Sequence, residues 1–197
     1  MRKFVNELST AAIAIIALTI VLGLAYPMVV TGIAQVAFHN KANGSQIKVN
    51  GKVVGSKLIS APASKNLADF QPRPSADSYN PAATLFGNHG PNQASTRDLT
   101  RQALRAYLAR ERRYDPELTA AEVPVDAATQ SASGVDPHIS PANARIQAHR
   151  VATVRHLPLS TVDHLVSRYT DGRFLGVLGE AGVNVLQLNL ALDKTTR

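Results

Sequence analysis

The feature that most constrains this chain is an unbroken run from Leu8 to Phe38 without Asp, Glu, Lys, Arg or His. A helix that crosses about 30 Å of hydrocarbon needs about 20 such residues, so the run is long enough to span a membrane. The apolar core of a cleaved signal peptide is usually about 7–15 residues, and a buried core helix is rarely free of charge for so long. The sequence therefore predicts a transmembrane helix over residues 8–30, with residues 31–40 as a juxtamembrane connection.

Charges beside this helix predict its direction in the membrane. Arg2, Lys3 and the amino terminus precede it, partly offset by Glu7, whereas only His39 and Lys41 follow closely. Because short basic segments stay in the cytoplasm, residues 1–7 are predicted to be cytoplasmic and residues 41–197 to form an extracytoplasmic domain.

Three residues of the helix region are predicted to contact a partner. Pro27 is expected near the end of the helix, where losing a backbone hydrogen bond costs least, and Tyr26 can anchor at the membrane interface. The third residue is Gln35. Nearby small residues would let another helix approach closely.

Composition excludes several kinds of function. The chain has no cysteine, which removes disulfides, zinc–thiolate sites and thiol catalysis. Its net charge of +7 would suit an acidic partner, but aromatic residues make up 5% and tryptophan is absent. Nucleic acid is not expected as a partner because stacking platforms for bases are scarce.

The remainder of the chain is predicted to form a mixed α/β (α+β) domain. Asn50-Gly51 predicts a hairpin turn, and prolines forbid a helix in the loop from Phe70 to Asn92. Capping patterns and apolar periodicity predict the other elements. These are a hairpin over Ile47–Val54, helices over Ser95–Arg113, Pro141–Arg155 (capped by Ser140) and Ser160–Arg168, and a strand over Val183–Leu192.

The segment Asp136-Pro-His-Ile-Ser140 is the most site-like part of the domain. One interpretation is a hydrolase triad, in which His138 activates Ser131 or Ser133 and Asp136 orients the imidazole ring. The alternative is structural: Asp136 organises a turn and Ser140 caps a helix. The chain has no Gly-x-Ser-x-Gly elbow and no phosphate-binding loop of the Gly-x-x-x-x-Gly-Lys type. His149, His156 and His164 lack the spacing of a metal site, so no metal is expected.

Several ordered segments resemble the C subunit of the Kdp potassium-transporting P-type ATPase across almost the whole chain. The segments that carry the resemblance are Gly23–Met28 with Thr31 and Gln35, Arg73-Pro-Ser75, Tyr79-Asn80, Asn88-His-Gly-Pro91, Ser133–Pro141, Leu175–Glu180 and Val183–Leu190.

This resemblance implies a single-pass protein of the bacterial inner membrane. It implies a non-catalytic accessory subunit of a high-affinity K⁺-import complex, also described as a catalytic chaperone that raises the ATP affinity of the hydrolysing subunit. The implied partners are a channel-like subunit, a P-type subunit and a small single-span subunit, besides membrane lipid. ATP, Mg²⁺ and K⁺ would be bound by those partners, and this chain itself is expected to bind no cofactor.

The loops over Phe70–Asn92 and Ser131–Ser140 are predicted to form the outer contact surface. Its candidate residues are Arg73, Pro74, Ser75, Asn88, Gly90, Pro91, Asp136, Pro137, His138 and Ser140. The competing function is a membrane-tethered hydrolase that uses His138.

Overall fold

A computed structural model describes residues 1–62, 66–83, 87–90 and 92–195. The predicted contact residue Pro91 lies outside these residues. Contacts between residues divide the chain into two compact units, Met1–Gln46 and Ile47–Arg197.

The first unit consists of helix: α1 (Arg2–Leu18), a π-helical segment (Thr19–Ala25), α2 (Tyr26–Ala37) and the short α3 (His39–Ala42). Residues 2–37 form one continuous helix that is long and apolar enough to cross a membrane, and no other helix of the described chain is. This confirms a membrane-type helix near the N-terminus. At about 1.5 Å per residue it exceeds the thickness of the hydrocarbon layer.

The expectation that Pro27 lies near the end of the helix is wrong, because the helix continues through Ala37. Proline lacks an N–H group, and its ring would collide with the carbonyl four residues earlier. Here the preceding turns widen: the N–H of Tyr26 donates to the carbonyl of Val21, five residues back. The π-helical segment therefore accommodates Pro27 without ending the helix.

Another predicted contact residue of this region, Gln35, has a local role at the end of the helix. The Asn43 amide donates to Gln35 Oε1 at 3.0 Å and to the carbonyl of His39 at 2.7 Å. These bonds hold α3 against the last turn of α2.

A two-stranded hairpin consists of β1 (Gln46–Val49) and β2 (Lys52–Ser56), and all of it except Gln46 belongs to the second unit. Asn50 and Gly51 occupy its turn with φ angles of 51° and 78°. The prediction of a hairpin at Asn50-Gly51 is confirmed, since both residue types tolerate positive φ.

The remaining elements form the core of the mixed α/β domain. They are α4 (Ala94–Glu111), α5 (Val125–Ala128), β3 (His138–Ile139), α6 (Pro141–Arg155), α7 (Leu159–Arg168), β4 (Thr170–Asp171), β5 (Gly182–Asn184) and α8 (Val185–Thr195). The strands pair antiparallel in the order β3-β5-β4. Helix α6 packs against α7 and α7 against α8. Fully buried core side chains include Val151, Val162, Val183, Leu188 and Leu192.

The strand predicted over Val183–Leu192 is wrong beyond Asn184. Only Gly182–Asn184 is extended, and the chain then turns into α8. The Asn184 side chain accepts the N–H of Gln187 at 3.1 Å and so caps this helix. Leu188 and Leu192, four residues apart, are both fully buried, so burial follows a helical period inside an alternating sequence.

The other helices differ from their predicted bounds by a residue or two. The helix predicted from Ser95 begins at Ala94 and ends at Glu111, and Ser95 lies inside its first turn. The helix predicted from Ser160 begins at Leu159, after Pro158 at the N-cap, and ends at Arg168 as predicted. Helix α6 matches its predicted start and end.

Candidate functional site

The loop that follows β2 is held by side-chain amides from two helices. The backbone N–H of Phe70 donates to Asn189 Oδ1 at 2.8 Å, and the Asn189 amide donates back to the Phe70 carbonyl at 2.9 Å. Gln147 forms the same reciprocal pair with Gln71, at 2.8 and 3.1 Å. The buried backbone here therefore finds its partners without a neighbouring strand.

A buried ion pair lies beneath this loop. Arg150 and Glu111 are 0% and 1% exposed, and Nε of Arg150 lies 3.1 Å from Oε2 of Glu111. Burial lowers the pKa of Arg150, while the carboxylate of Glu111 opposes that shift. The guanidinium also donates to the carbonyls of Leu67 and Asp69. One buried cation thus joins α4, α6 and the loop.

A second arginine holds the same stretch of loop. Arg155 donates to the carbonyl of Ala68 at 2.6 Å. It also forms ion pairs with Asp69 at 2.8 Å and with Asp193 at 3.0 Å. The segment from Leu67 to Gln71 is therefore bonded to side chains of α6 and α8, and the chain leaves it in a defined direction toward Arg73.

Arg73, Pro74 and Ser75 are brought together with Asp136, as the contact-surface prediction requires. Arg73 Nη1 lies 3.2 Å from Oδ2 of Asp136, and the two side chains are 25% and 29% exposed. The N–H of Ser131 donates to the carbonyl of Pro74 at 3.1 Å. The two predicted loops therefore meet and form one surface.

A tight turn continues this surface beyond Ser75. Ser75 Oγ donates to Asp77 and accepts the N–H of Tyr79, and the Tyr79 hydroxyl donates to the carbonyl of Arg73 at 2.9 Å. Burial raises the pKa of Tyr79, and Arg110 partly offsets the shift. Gly134 packs on Asp77 so closely that a Cβ there would lie 2.9 Å from its carboxylate.

The segment from Asp136 to Ser140 has the structural role and not the catalytic one. Asp136 Oδ1 accepts the N–H of His138 at 2.9 Å, which closes the turn. Ser140 Oγ accepts the N–H of Asn143 at 3.1 Å and so caps α6, and it donates to Asp126 at 2.7 Å. Pro137 stands between the two, with its carbonyl accepting the N–H of Val185.

The triad interpretation is wrong on this geometry. Within the described residues the buried Ser131 hydroxyl has no hydrogen-bond partner, and the Ser133 hydroxyl accepts the N–H of Val135. The ring nitrogens of His138 lie 3.9 Å from Asp136 and 3.6 Å from Asp171, too far for hydrogen bonds to these carboxylates. No serine is therefore activated by His138 in the described parts of the chain.

Asn88 lies beside a groove of about 500 Å³ along α4, and Pro74 and Ser131 of the surface described above line the same groove. Leu99, Ala103 and Ala106 contribute apolar surface to this groove. On the same helix Tyr107 is buried, whereas Leu99 is exposed. The carbonyl of Gly90 accepts the Thr96 hydroxyl at 2.9 Å, which ties the Asn88 loop to the helix.

Four residues that hold this site were missed in the sequence: Glu111, Gln147, Arg150 and Asn189. The sequence of α6 could have indicated Gln147 and Arg150, because polar and apolar residues recur there side by side at helical spacing. The buried residues of this pattern are Asn143, Gln147 and Arg150 beside Ala144, Ala148 and Val151. Among the residues that the structure describes, no group of three or more His, Asp or Glu side chains could hold a metal ion.

The described residues thus define a class of protein in which one apolar helix of membrane-spanning length is followed by an α/β domain. In this domain, clusters of polar side chains hold the loops in place. Comparison with known proteins identifies the family. The model for "K+-transporting ATPase, c chain" (KdpC) matches residues 8–194. The chain belongs to the KdpC family.

Named relatives agree over nearly their whole length. A "Potassium-transporting ATPase KdpC subunit" from Methylococcus capsulatus is 45% identical over 192 residues, covering 96% of this chain and 98% of the relative. One from Koribacter versatilis is 42% identical over 96% of this chain and 95% of its own. One from Polaromonas naphthalenivorans is 47% identical, with 95% and 94% covered.

Proposed function

We propose that this chain is the non-catalytic accessory subunit of an ATP-driven K⁺-import complex in a bacterial inner membrane. One observation carries the proposal beyond family membership: the helix over residues 2–37 buries no side chain within the chain. Such a surface needs lipid or other membrane helices around it. The chain is therefore built to work within a membrane assembly.

The anchor helix contacts the channel-like subunit in this proposal, through the region of Tyr26 and Pro27. Exposed Tyr26 follows the π-helical segment directly, and Gly23 within that segment offers a small surface for close approach. Helical irregularities of this kind occur frequently at functional positions.

The domain contributes the second contact, through the surface around Arg73–Ser75 and Asp136–Ser140, together with the Asn88–Pro91 loop. The bracing of the preceding loop by Arg150, Arg155, Gln147 and Asn189 supports this proposal. A loop that is ordered before binding loses less conformational entropy when a partner arrives.

We place the domain outside the cytoplasm, with residues 1–7 inside, on the charge bias around the helix. ATP and Mg²⁺ are then bound on the other side of the membrane, in the hydrolysing subunit. K⁺ passes through the channel-like subunit. An effect of this chain on ATP affinity is therefore transmitted through subunit contacts. The absence of a phosphate-binding sequence supports the same view.

Removal of residues 1–38 tests the anchoring role. The truncated chain, exported by an added cleavable signal, is expected to lose co-purification with the ATPase subunits and to leave K⁺-stimulated ATP hydrolysis impaired. The same domain attached to an unrelated transmembrane helix is the matched control for tethering alone. An intact and fully active complex with the truncated chain would contradict the proposal.

Sidedness has its own test because the chain lacks cysteine. A single cysteine at exposed Lys52 is expected to react with an impermeant thiol reagent in intact cells, whereas one at exposed Asn6 reacts only after permeabilisation. Gly55 is a poor choice, since a Cβ there would lie 2.7 Å from Leu186. The reverse labelling pattern would place the domain in the cytoplasm.

A further inference from the structure

A small hairpin projects between β4 and β5, and its root borders the surface described above, since Asp171 Oδ2 lies 3.6 Å from His138 Nε2. The Phe174 N–H donates to the Leu178 carbonyl at 2.8 Å, and the Leu178 N–H donates back to the Phe174 carbonyl at 3.0 Å. At its base, Arg173 and Glu180 form an ion pair at 2.9 Å. The hairpin therefore has a defined shape although it lies outside the core.

The tip of this hairpin exposes apolar side chains to solvent. Phe174, Leu175, Val177 and Leu178 are 69%, 78%, 74% and 58% exposed. We name these four residues the apolar tip. Isolated exposed apolar residues are ordinary, but neighbouring ones on a single small hairpin form a contiguous patch, which typically marks an interaction site.

Leu175 is an unfavourable residue for its position, because it and Gly176 are the two positive-φ residues of the hairpin turn, as Asn50 and Gly51 are in the first hairpin. The φ angle of Leu175 is 53°, in the left-handed region that glycine, asparagine and aspartate tolerate far better than leucine. Leu175 is also the most exposed of the four side chains, so its apolar group contributes little packing within the domain. The choice of leucine at such a position points to a role outside folding.

Size argues against a second copy of this chain as the partner. The apolar tip exposes on the order of 500 Å², so two tips meeting each other would bury less than the roughly 1,200 Å² of a stable interface. A narrow projection instead fits a recess on a larger surface, where all of its sides can be covered.

Charge argues against the lipid surface. Two basic side chains at the root of the hairpin are already paired: Arg173 with Glu180, and Lys57 with Asp171 at 3.5 Å. Segments that dock on anionic headgroups use basic residues whose charge is not compensated. A neutral rim around an apolar centre resembles a protein interface, with its apolar core and polar rim.

We propose that the apolar tip inserts into an apolar recess on another protein subunit of the membrane complex. This inference rests on the proposed function, because it takes the partner from the same assembly. The Arg173–Glu180 and Lys57–Asp171 pairs form the polar rim of the contact, and Leu175 is its central anchor.

Two substitutions test the proposal in the full-length chain. Leu175→Asn suits the left-handed backbone and so preserves the hairpin while it removes the apolar anchor. Val177→Asp places a charge in the contact. Each is expected to weaken binding to the purified remainder of the complex about tenfold, the effect of removing an interface anchor. Val125→Asp is the control, because Val125 is 75% exposed and Val177 is 74% exposed.

The outcomes separate this proposal from the one on which it rests. If the wild-type chain does not bind the complex, the proposed function fails. If the wild-type chain and both tip variants bind equally well, only the apolar-tip proposal is overturned. Equal weakening by Val125→Asp would also overturn it, since the effect would then follow any exposed charge.

A tryptophan at position 177 distinguishes protein from lipid, because the native chain has none. In the Val177→Trp variant, reconstituted alone in nanodiscs with anionic lipid, the fluorescence is expected to remain that of a water-exposed indole. A blue shift in these nanodiscs would show insertion into the bilayer and overturn the proposal of a protein recess.

Discussion

The most informative perturbation of the domain is the loss of Arg150 or of its partner Glu111. Glu111→Gln removes the negative charge but leaves the donors of Arg150 on the carbonyls of Leu67 and Asp69. Breaking a buried ion pair by removing one partner costs about 3–5 kcal/mol, because an uncompensated charge remains buried. A domain of this size is typically stable by about 5–15 kcal/mol, so the variant should lose a large share of its stability.

Arg150→Met should cost more than Glu111→Gln. It leaves the Glu111 carboxylate buried, with Arg110 at 2.6 Å as its remaining ion-pair partner among the described residues, and it also removes the donors to the two loop carbonyls. Each buried acceptor that is left unsatisfied adds about 1–3 kcal/mol. The loop that leads to Arg73 should loosen as well, so binding to the complex should weaken together with stability.

The assay is urea unfolding of the full-length chain in detergent, followed by circular dichroism. In a thermal scan, a loss of about 3–5 kcal/mol corresponds to a fall of roughly 6–20 °C in the melting temperature for a domain of this size. Glu117→Gln is the control, because Glu117 is exposed and its substitution should leave stability unchanged. If the unfolding free energy of Arg150→Met lies within about 1 kcal/mol of the wild-type value, the size of an ordinary point-mutant effect, the bracing argument is wrong.

Three other residues carry predictions that the same purified chain can test. Ser140→Ala removes the cap of α6 and a bond to Asp126, and should cost about 1–2 kcal/mol of unfolding free energy in the same urea assay, whereas exposed Ser133→Ala should cost less. Burial raises the pKa of Tyr107 well above its ordinary value of about 10. The neutral tyrosine therefore stabilises the folded chain fully below a pH of about 10, and this stabilisation is lost as the pH rises further. Tyr107→Phe should flatten this alkaline decline of stability, and an unchanged decline would refute it. The purified chain should show no esterase or peptidase rate above that of a blank, and His138→Ala should not change this. A rate that is lost in the His138→Ala variant would restore the hydrolase interpretation.

The elements that were predicted correctly are those that depend on a few neighbouring residues of the sequence. Asn50-Gly51 fixes a hairpin because its two residue types accept positive φ, and Ser140-Pro141 fixes the start of α6 because a hydroxyl cap and a preset φ act within one turn. The charge-free run predicts a membrane-type helix for the same reason, since length and apolarity alone are required.

The predictions were wrong where tertiary packing, and not the local sequence, determines the structure. The alternation of Leu186, Leu188 and Leu190 is typical of a strand, but the Asn184 cap and the buried core select a helix there. Pro27 is typical of a helix end, yet a π-helical segment accommodates it. These outcomes depend on hydrogen bonds and contacts that residue type and spacing do not specify.

The candidate contact residues came from sequence motifs and stay a prediction, whereas the way in which the fold supports them was not predicted. Arg73, Ser75 and Asp136 were identified from motifs, and the structure brings them together. The bracing by Arg150 and Asn189 was missed, because their partners are backbone groups of the loop from Leu67 to Phe70, distant in sequence. Such pairings have no sequence motif of their own.

We propose that a K⁺-transporting ATPase depends on this chain as an accessory subunit. The direct measurement is K⁺-stimulated ATP hydrolysis by the purified complex, assembled with and without the chain in the same membranes. We predict that ATPase subunits co-purify with the tagged chain and that K⁺-stimulated hydrolysis is lost when the chain is omitted. Full K⁺-stimulated hydrolysis by a complex that lacks the chain would contradict this account.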